Sequence, residues 1–164
     1  MMTEYIFTQM TANDLPLVGG WLAKPFVAKW WGDPEKELAD IADELDEPHI
    51  RQWIVSLGER QVAFIQDYDV HQWPQPHTDS LPPGALGIDM LIGDEGLTGK
   101  GHGSAMLRQH ALALRAAGAP AIMIDPAPDN LCARRAYEKA GFNGDEEFIS
   151  EDGPIILMMF EALA

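Results

Sequence analysis

Gly99-Lys100-Gly101-His102-Gly103 decides how this chain is read. Three glycines alternate with two longer residues, and the sequence then enters a helical pattern with Leu107, Ala111 and Leu114 at helical spacing. Glycines carry no Cβ, so such a loop leaves backbone N–H groups open toward an anion at a helix start, a device suited to a pyrophosphate. The same glycines also suit a plain tight turn. The stretch is not a Walker loop, because it lacks the Gly-Lys-Ser/Thr ending, and it is not a full dinucleotide fingerprint. The flanking elements must arbitrate.

Before the loop, from Ala85 to Ile92, Leu86, Ile88, Met90 and Ile92 alternate with Gly87, Asp89 and Leu91. That pattern predicts a half-buried strand with one carboxylate on its other face. After the loop, the helix stops at Gly118 with Pro120 beyond it. Ala121–Ile124 reads as a buried strand ending at Asp125-Pro126, followed by a helix from about Asn130 to Ala140 closed by Gly141, and a last strand at Ile155–Phe160. Toward the N-terminus, Tyr5–Gln9 reads as a strand and Thr11-Ala12-Asn13-Asp14 as a capping box opening a helix through about Leu22. Trp30-Trp31-Gly32-Asp33-Pro34 precedes an acidic helix to about Asp46, and Pro48 forbids its continuation. Gln52–Leu57 and Gln61–Tyr68 are two strands turned through Gly58. Four prolines, two histidines and Trp73 make Val70–Gly84 a loop of the kind that is usually functional or mobile. The order of elements predicts an α/β (α+β) fold: a mixed, mostly antiparallel central sheet flanked by helices, with a right-handed crossover in the C-terminal half. Neither an internal repeat nor a low-complexity tract is present.

The 164 residues suit one domain, expected to span 1–164. A hydrophobic fraction of 46% with 23% charged residues excludes global disorder. Met1-Met2-Thr3-Glu4 has no basic region leading into an apolar stretch, and no window approaches a membrane span, so a cytoplasmic location is expected. A lone Cys132 cannot form an intrachain disulfide, which agrees with a reducing compartment. The formal charge of −15 repels nucleic acid and anionic membrane and attracts cationic small molecules, although acidic surfaces also serve solubility alone.

The glycine loop, Asp125-Pro126 after a strand, Asn130, and Ala136-Tyr137-Glu138-Lys139-Ala140-Gly141-Phe142 together resemble the GNAT acetyltransferase superfamily. The resemblance implies that Thr98, Gly99, Lys100, Gly101, His102, Gly103 and Ser104 cradle the pyrophosphate of acetyl-CoA. It also implies that the pantetheine arm lies beside Met90, Leu91 and Ile92, and that Asn130, Arg134 and Tyr137 face the cofactor. The first loop position is often Arg or Gln in that family and is Thr98 here, but a backbone cradle does not depend on that side chain. Trp30-Trp31-Gly32, Gln66-Asp67-Tyr68, Gly87-Ile88-Asp89, Asp125-Pro126 and Asp152-Gly153-Pro154 are further similar to the aminoglycoside 6′-N-acetyltransferases. Siderophore-hydroxylamine acyltransferases share much of this outline.

The chemistry agrees with these residue types. An amine is protonated near neutral pH and must lose a proton before it attacks a thioester, and a nearby carboxylate can orient and deprotonate it. Asp89 is assigned the base and Asp125 the acceptor contact, with exchanged roles the alternative. A backbone N–H near Leu91 polarises the thioester carbonyl, and Tyr137, by resemblance, donates to the departing sulfur; standing alone, Tyr137 would read as helix core. The acceptor is expected to meet Trp31, Gln66, Tyr68, Trp73, Asp89 and Asp125, though tryptophans are as often plain core. His71 and His77, with Asp69 and Asp79 nearby, match no compact metal site and are expected to be solvated loop histidines. Cys132 is expected to be a buried structural cysteine without a partner base. The expected function is direct acetyl transfer from acetyl-CoA to a primary amine of an aminoglycoside-like polyamine, by a chain that is monomeric or homodimeric and uses no metal. A siderophore hydroxylamine, a polyamine or a protein N-terminus as acceptor, and a non-catalytic acyl-CoA-binding module, are the alternatives.

Overall fold

A computed structural model describes residues 4–161, so Met1, Met2 and Thr3 lie outside the described residues. The chain resolves into two compact units: the first runs through Asp67 and resumes at Asp89–Thr98, and the second comprises Tyr68–Ile88 and the chain from Gly99 onward.

In the first unit, β1 (Tyr5–Gln9) pairs antiparallel with β2 (Ile50–Leu57), in register from Tyr5↔Leu57 to Gln9↔Trp53. β3 (Arg60–Asp69) follows through a turn in which Gly58 holds φ +62°, and the strand order continues β1-β2-β3-β4, with β4 at Leu86–Ile92. The Thr11 capping box opens a 3₁₀ turn that leads into α1 (Leu15–Leu22). α2 (Pro25–Trp31) was not expected; its Pro25 and the Gly32 stop at φ +98° lie only a turn or two apart, too short a span for a periodicity to emerge. The acidic helix α3 (Pro34–Asp43) is capped by Asp33 and gives way to a 3₁₀ turn at Glu44–Asp46. Val18, Trp21 and Leu22 of α1, Val27 of α2, Ile41 of α3, and Ile54, Phe64 and Leu91 of the strands form one buried cluster. Gly93, just past β4, lies where a Cβ would run into the Trp21 indole, and its carbonyl accepts from Lys24 Nζ at 2.6 Å.

In the second unit the order is β4-β5-β7-β6. β5 (Ile122–Ile124) runs parallel to β4, and their pairing is confined to Leu86↔Ile122 and Gly87↔Met123. β7 (Gly153–Phe160) is antiparallel to both β5 and β6 (Phe142–Ser150). α4 (His102–Ala116) and α5 (Leu131–Ala140) are tied together by Ser104 Oγ donating to Ala136 O at 2.7 Å and Arg108 donating to Ala140 O. β6 escaped the sequence reading because Asn143-Gly144-Asp145-Glu146-Glu147 is polar on both faces, as an exposed edge strand can be. A mixed, mostly antiparallel sheet with flanking helices is therefore what the chain builds. One expectation fails in detail: β4 is not half-buried, since Leu91 on the Asp89 face is as buried as Ile88 and Met90 on the other. Among the described residues no helix is long and apolar enough to cross a membrane.

Burial, reinforced by Asp40, Glu37, Asp43 and Glu47, pushes the Glu44 carboxyl up to about 7. A raised carboxyl stabilises the fold below its unfolded value and loses that contribution as pH rises through about 7. Glu44→Gln should therefore raise the Tm at pH 8 by about 2–5 °C, on the order of 1 kcal/mol once solvent screening of this half-buried group is allowed for. By about pH 4.5, the unfolded value, thermal melts of the two proteins should coincide.

Candidate active site

The glycine loop adopts the geometry its composition requires. Gly99 and Gly101 hold φ +75° and +88°, left-handed conformations that other residues enter only with strain, and Gly101 is the N-cap of the fifteen-residue α4. Nothing lies within 4 Å of where a Cβ would stand on either glycine, so the approach to the helix N-terminus is open. First-turn N–H groups and the positive end of the helix dipole there suit a phosphate. The side chains around the loop are less available than expected. Thr98 Oγ1 donates to Glu95 O at 2.7 Å, Ser104 Oγ is committed to Ala136, and Asn130 Oδ1 caps α5 by accepting from Ala133 N. Arg134 donates to Pro128 O at 2.8 Å, while Lys100 is exposed. Tyr137 is partly exposed on α5, not core.

In the first unit, Asp89 is set in place by a relay of amides. Gln66 Nε2 donates to Asp89 Oδ2 at 2.9 Å, Gln52 Nε2 reaches Gln66 Oε1 at 3.4 Å, and the same Gln52 nitrogen donates to Ile41 O at 3.2 Å. Both glutamines are buried. A directed N–H of this kind fixes the rotamer of the carboxylate. Met90, Leu91 and Ile92 continue β4 beyond Asp89, and Gly93 N donates to Val62 O. Trp31 packs edge-on against Phe64, so it belongs to the core of this unit.

In the second unit, Asp125 stands just past the end of β5 with its side chain 22% exposed. Its Oδ2 lies 3.0 Å from Nε2 of His77, which is 2% exposed. The expectation of solvated histidines thus fails for His77, and only partly holds for His71, whose Nε2 lies 3.0 Å from Leu81 O. Turn hydrogen bonds carry His77 inward, and nothing in a Pro-rich segment without periodicity announced it. Tyr68 and Trp73 meet edge to face with ring centroids 6.3 Å apart, Trp73 remaining 40% exposed. Cys132 is exposed on α5, contrary to the expectation of burial, because it follows Leu131 on the outer side of the first turn. Among the described residues no cluster of three or more His, Cys, Asp or Glu could hold a metal ion.

A model of the acetyltransferase (GNAT) domain matches residues 10–149. The chain belongs to the GNAT acetyltransferase family. Aminoglycoside N(6′)-acetyltransferase type 1 of Klebsiella pneumoniae is 32% identical over 162 residues, covering 92% of this chain and 79% of the relative. Among solved structures, aminoglycoside acetyltransferase AAC(6′)-Ib in complex with coenzyme A and kanamycin superposes with a TM-score of 0.85 at 29% identity, covering 95% of this chain and 94% of the other. An aminoglycoside N(6′)-acetyltransferase from Legionella pneumophila gives 0.81 at 25% identity over 98% of this chain and 93% of the other. Membership makes the chain an acyltransferase, and the open left-handed glycines at the start of α4 fit the phosphates of the family's acyl donor.

If the left-handed conformation at Gly101 is as demanding as its φ of +88° indicates, Gly101→Ala should cost about 1–2 kcal/mol in thermal or urea unfolding. An unchanged unfolding midpoint would show that the loop relaxes without strain.

Proposed function

We propose that this chain transfers the acetyl group of acetyl-CoA directly to a primary amine of an aminoglycoside-like polyamine, in a ternary complex and without a covalent enzyme intermediate. Similarity over nearly the whole chain to aminoglycoside N(6′)-acetyltransferases supports the acceptor class, and a formal charge of −15 favours a cationic substrate over nucleic acid or membrane. The observation that carries the residue assignment is Asp89 held by Gln66 at 2.9 Å on the strand that precedes the glycine loop.

Acetyl-CoA supplies an activated acetyl thioester; the chain supplies position and proton transfer. Gly99, Lys100, Gly101, His102 and Gly103 bind the pyrophosphate, chiefly through backbone N–H groups. Thr98 and Ser104 contribute backbone rather than side chain, because their hydroxyl protons are already engaged, whereas Asn130 keeps its side-chain NH2 as a donor while its Oδ1 caps α5. Met90, Leu91 and Ile92 line the pantetheine arm, and the Leu91 N–H polarises the thioester carbonyl. Asp89 accepts the proton of the ammonium, the freed nitrogen attacks the carbonyl carbon, the carbon–sulfur bond breaks as Tyr137 donates to the sulfur, and the second proton shed by the nitrogen restores Tyr137 while that on Asp89 passes to water. Lys100 and Arg134 offset phosphate charge in an otherwise acidic protein. Gln66, Tyr68, Trp73 and Asp125 contact the acceptor, and Trp31 is packed on Phe64. The chain acts as a single acetyltransferase domain in the cytoplasm, where acetyl-CoA is made.

Coenzyme A thiol release with acetyl-CoA and a panel of aminoglycosides, simple polyamines, hydroxylysine derivatives and peptides tests the acceptor. Turnover confined to aminoglycosides is expected, and turnover only with another amine would replace the acceptor. Asp89→Asn should lower kcat by about 100-fold or more, and Tyr137→Phe by about tenfold, with the KM for acetyl-CoA within about twofold of wild type. Unchanged turnover by Asp89→Asn would place the base elsewhere.

A further inference from the structure

Burying an imidazole is a poor way to fill space. His77 is 2% exposed beneath Phe148, with ring centroids 6.0 Å apart, and its Nδ1 is buried with no hydrogen-bond partner among the described residues. An apolar side chain of similar size would pack there without orphaning a nitrogen. What the imidazole adds is Nε2, 3.0 Å from Asp125 Oδ2. Of the two neutral tautomers, only the one protonated at Nε2 donates to that carboxylate; the other sets a lone pair against it and buries an unpartnered Nδ1–H.

The segment around His77 is built to hold the ring there. Thr78 N donates to Gln75 O at 3.0 Å, Leu81 N donates to Thr78 O at 3.1 Å, and Thr78 is itself buried. Asp69 Oδ1 accepts from His71 N at 2.9 Å, and the Gln75 side chain accepts from Glu151 N in the turn between β6 and β7. Asp125 is therefore gripped by one oxygen from inside while its side chain stays 22% exposed.

We propose that His77 is a positioning residue for the acceptor: its Nε2–H fixes Asp125 through Oδ2, and so presents Oδ1 to an ammonium group of the cationic substrate. The inference rests on the reading of Asp125 as an acceptor contact. His77 touches no substrate and acts only through the carboxylate, so its loss weakens acceptor binding and leaves the acetyl donor untouched.

Steady-state kinetics of His77→Leu, His77→Gln, Asp125→Asn and the double variant His77→Leu/Asp125→Asn, with kanamycin and acetyl-CoA, test this. His77→Leu should raise the acceptor KM about tenfold while kcat and the KM for acetyl-CoA stay within about threefold. His77→Gln, whose amide keeps a donor near the Nε2 position, should recover most of the loss, and the double variant should be no worse than Asp125→Asn alone. An unchanged acceptor KM in His77→Leu, or additive losses in the double variant, overturns the proposal. Should His77→Leu fail to fold, long-range proton–nitrogen NMR of the wild-type imidazole decides: an Nε2–H signal that shifts in Asp125→Asn is expected, and an Nδ1–H tautomer overturns the positioning role. An Asp125→Asn enzyme with normal acceptor KM overturns both the proposal and the reading of Asp125, whereas a normal effect of Asp125→Asn beside a silent His77→Leu overturns the proposal alone.

Discussion

β4 is packed so closely that aromatic rings occupy the space two Cβ atoms would need. At Gly87 a methyl would meet the Tyr68 ring and the end of Met123; past the other end of the strand, at Gly93, it would meet the Trp21 indole. These contacts pin the strand against sliding, because a one-residue slip would drive a side chain into each ring and turn every residue of the strand to the opposite face. Asp89 lies between the two glycines, so the direction of its carboxylate follows from packing at both ends of its own strand.

A polar chain completes what packing begins. From Ile41 O through Gln52 and Gln66 to Asp89, each amide has one defined role, and the carboxylate at the end receives a directed N–H. Next to Gln66 in sequence, Asp67 is buried and accepts from Arg51 Nε at 2.7 Å and Trp53 Nε1 at 3.0 Å. The two carboxylates thus face different partners: Asp67 accepts from a guanidinium and an indole, and Asp89 accepts from an amide N–H. In the second unit an imidazole nitrogen, His77 Nε2, lies 3.0 Å from Asp125 Oδ2.

The glycine loop at the start of α4 offers backbone N–H groups of a kind that suit an anion in an acidic protein. A formal charge of −15 makes the surface repel phosphates. The N-terminus of α4 counters this with N–H groups and dipole rather than with side chains, and Gly99 and Gly101 make that arrangement possible by entering the left-handed region without strain.

Elements with strong periodicity or punctuation were legible from sequence alone: β4 by its alternation, α4 by its glycines and helical spacing, α5 by Asn130 at its start and Gly141 at its end. So were the family and its acyl transfer, through the resemblance carried by the glycine loop together with Asp125-Pro126, Asn130 and Ala136-Tyr137-Glu138-Lys139-Ala140-Gly141-Phe142. What the sequence could not show is set by partners distant along the chain. β6 is a strand because β7 offers it hydrogen bonds, not because Asn143–Glu147 favours extension. Leu91 is buried by the helices over β4, which erased the expected exposed face. His77 is buried with its Nε2 3.0 Å from Oδ2 of Asp125, forty-eight residues away. Local pattern determines where backbone runs and where it must bend; only tertiary packing decides which polar group a carboxylate faces, since that depends on atoms brought together by folding.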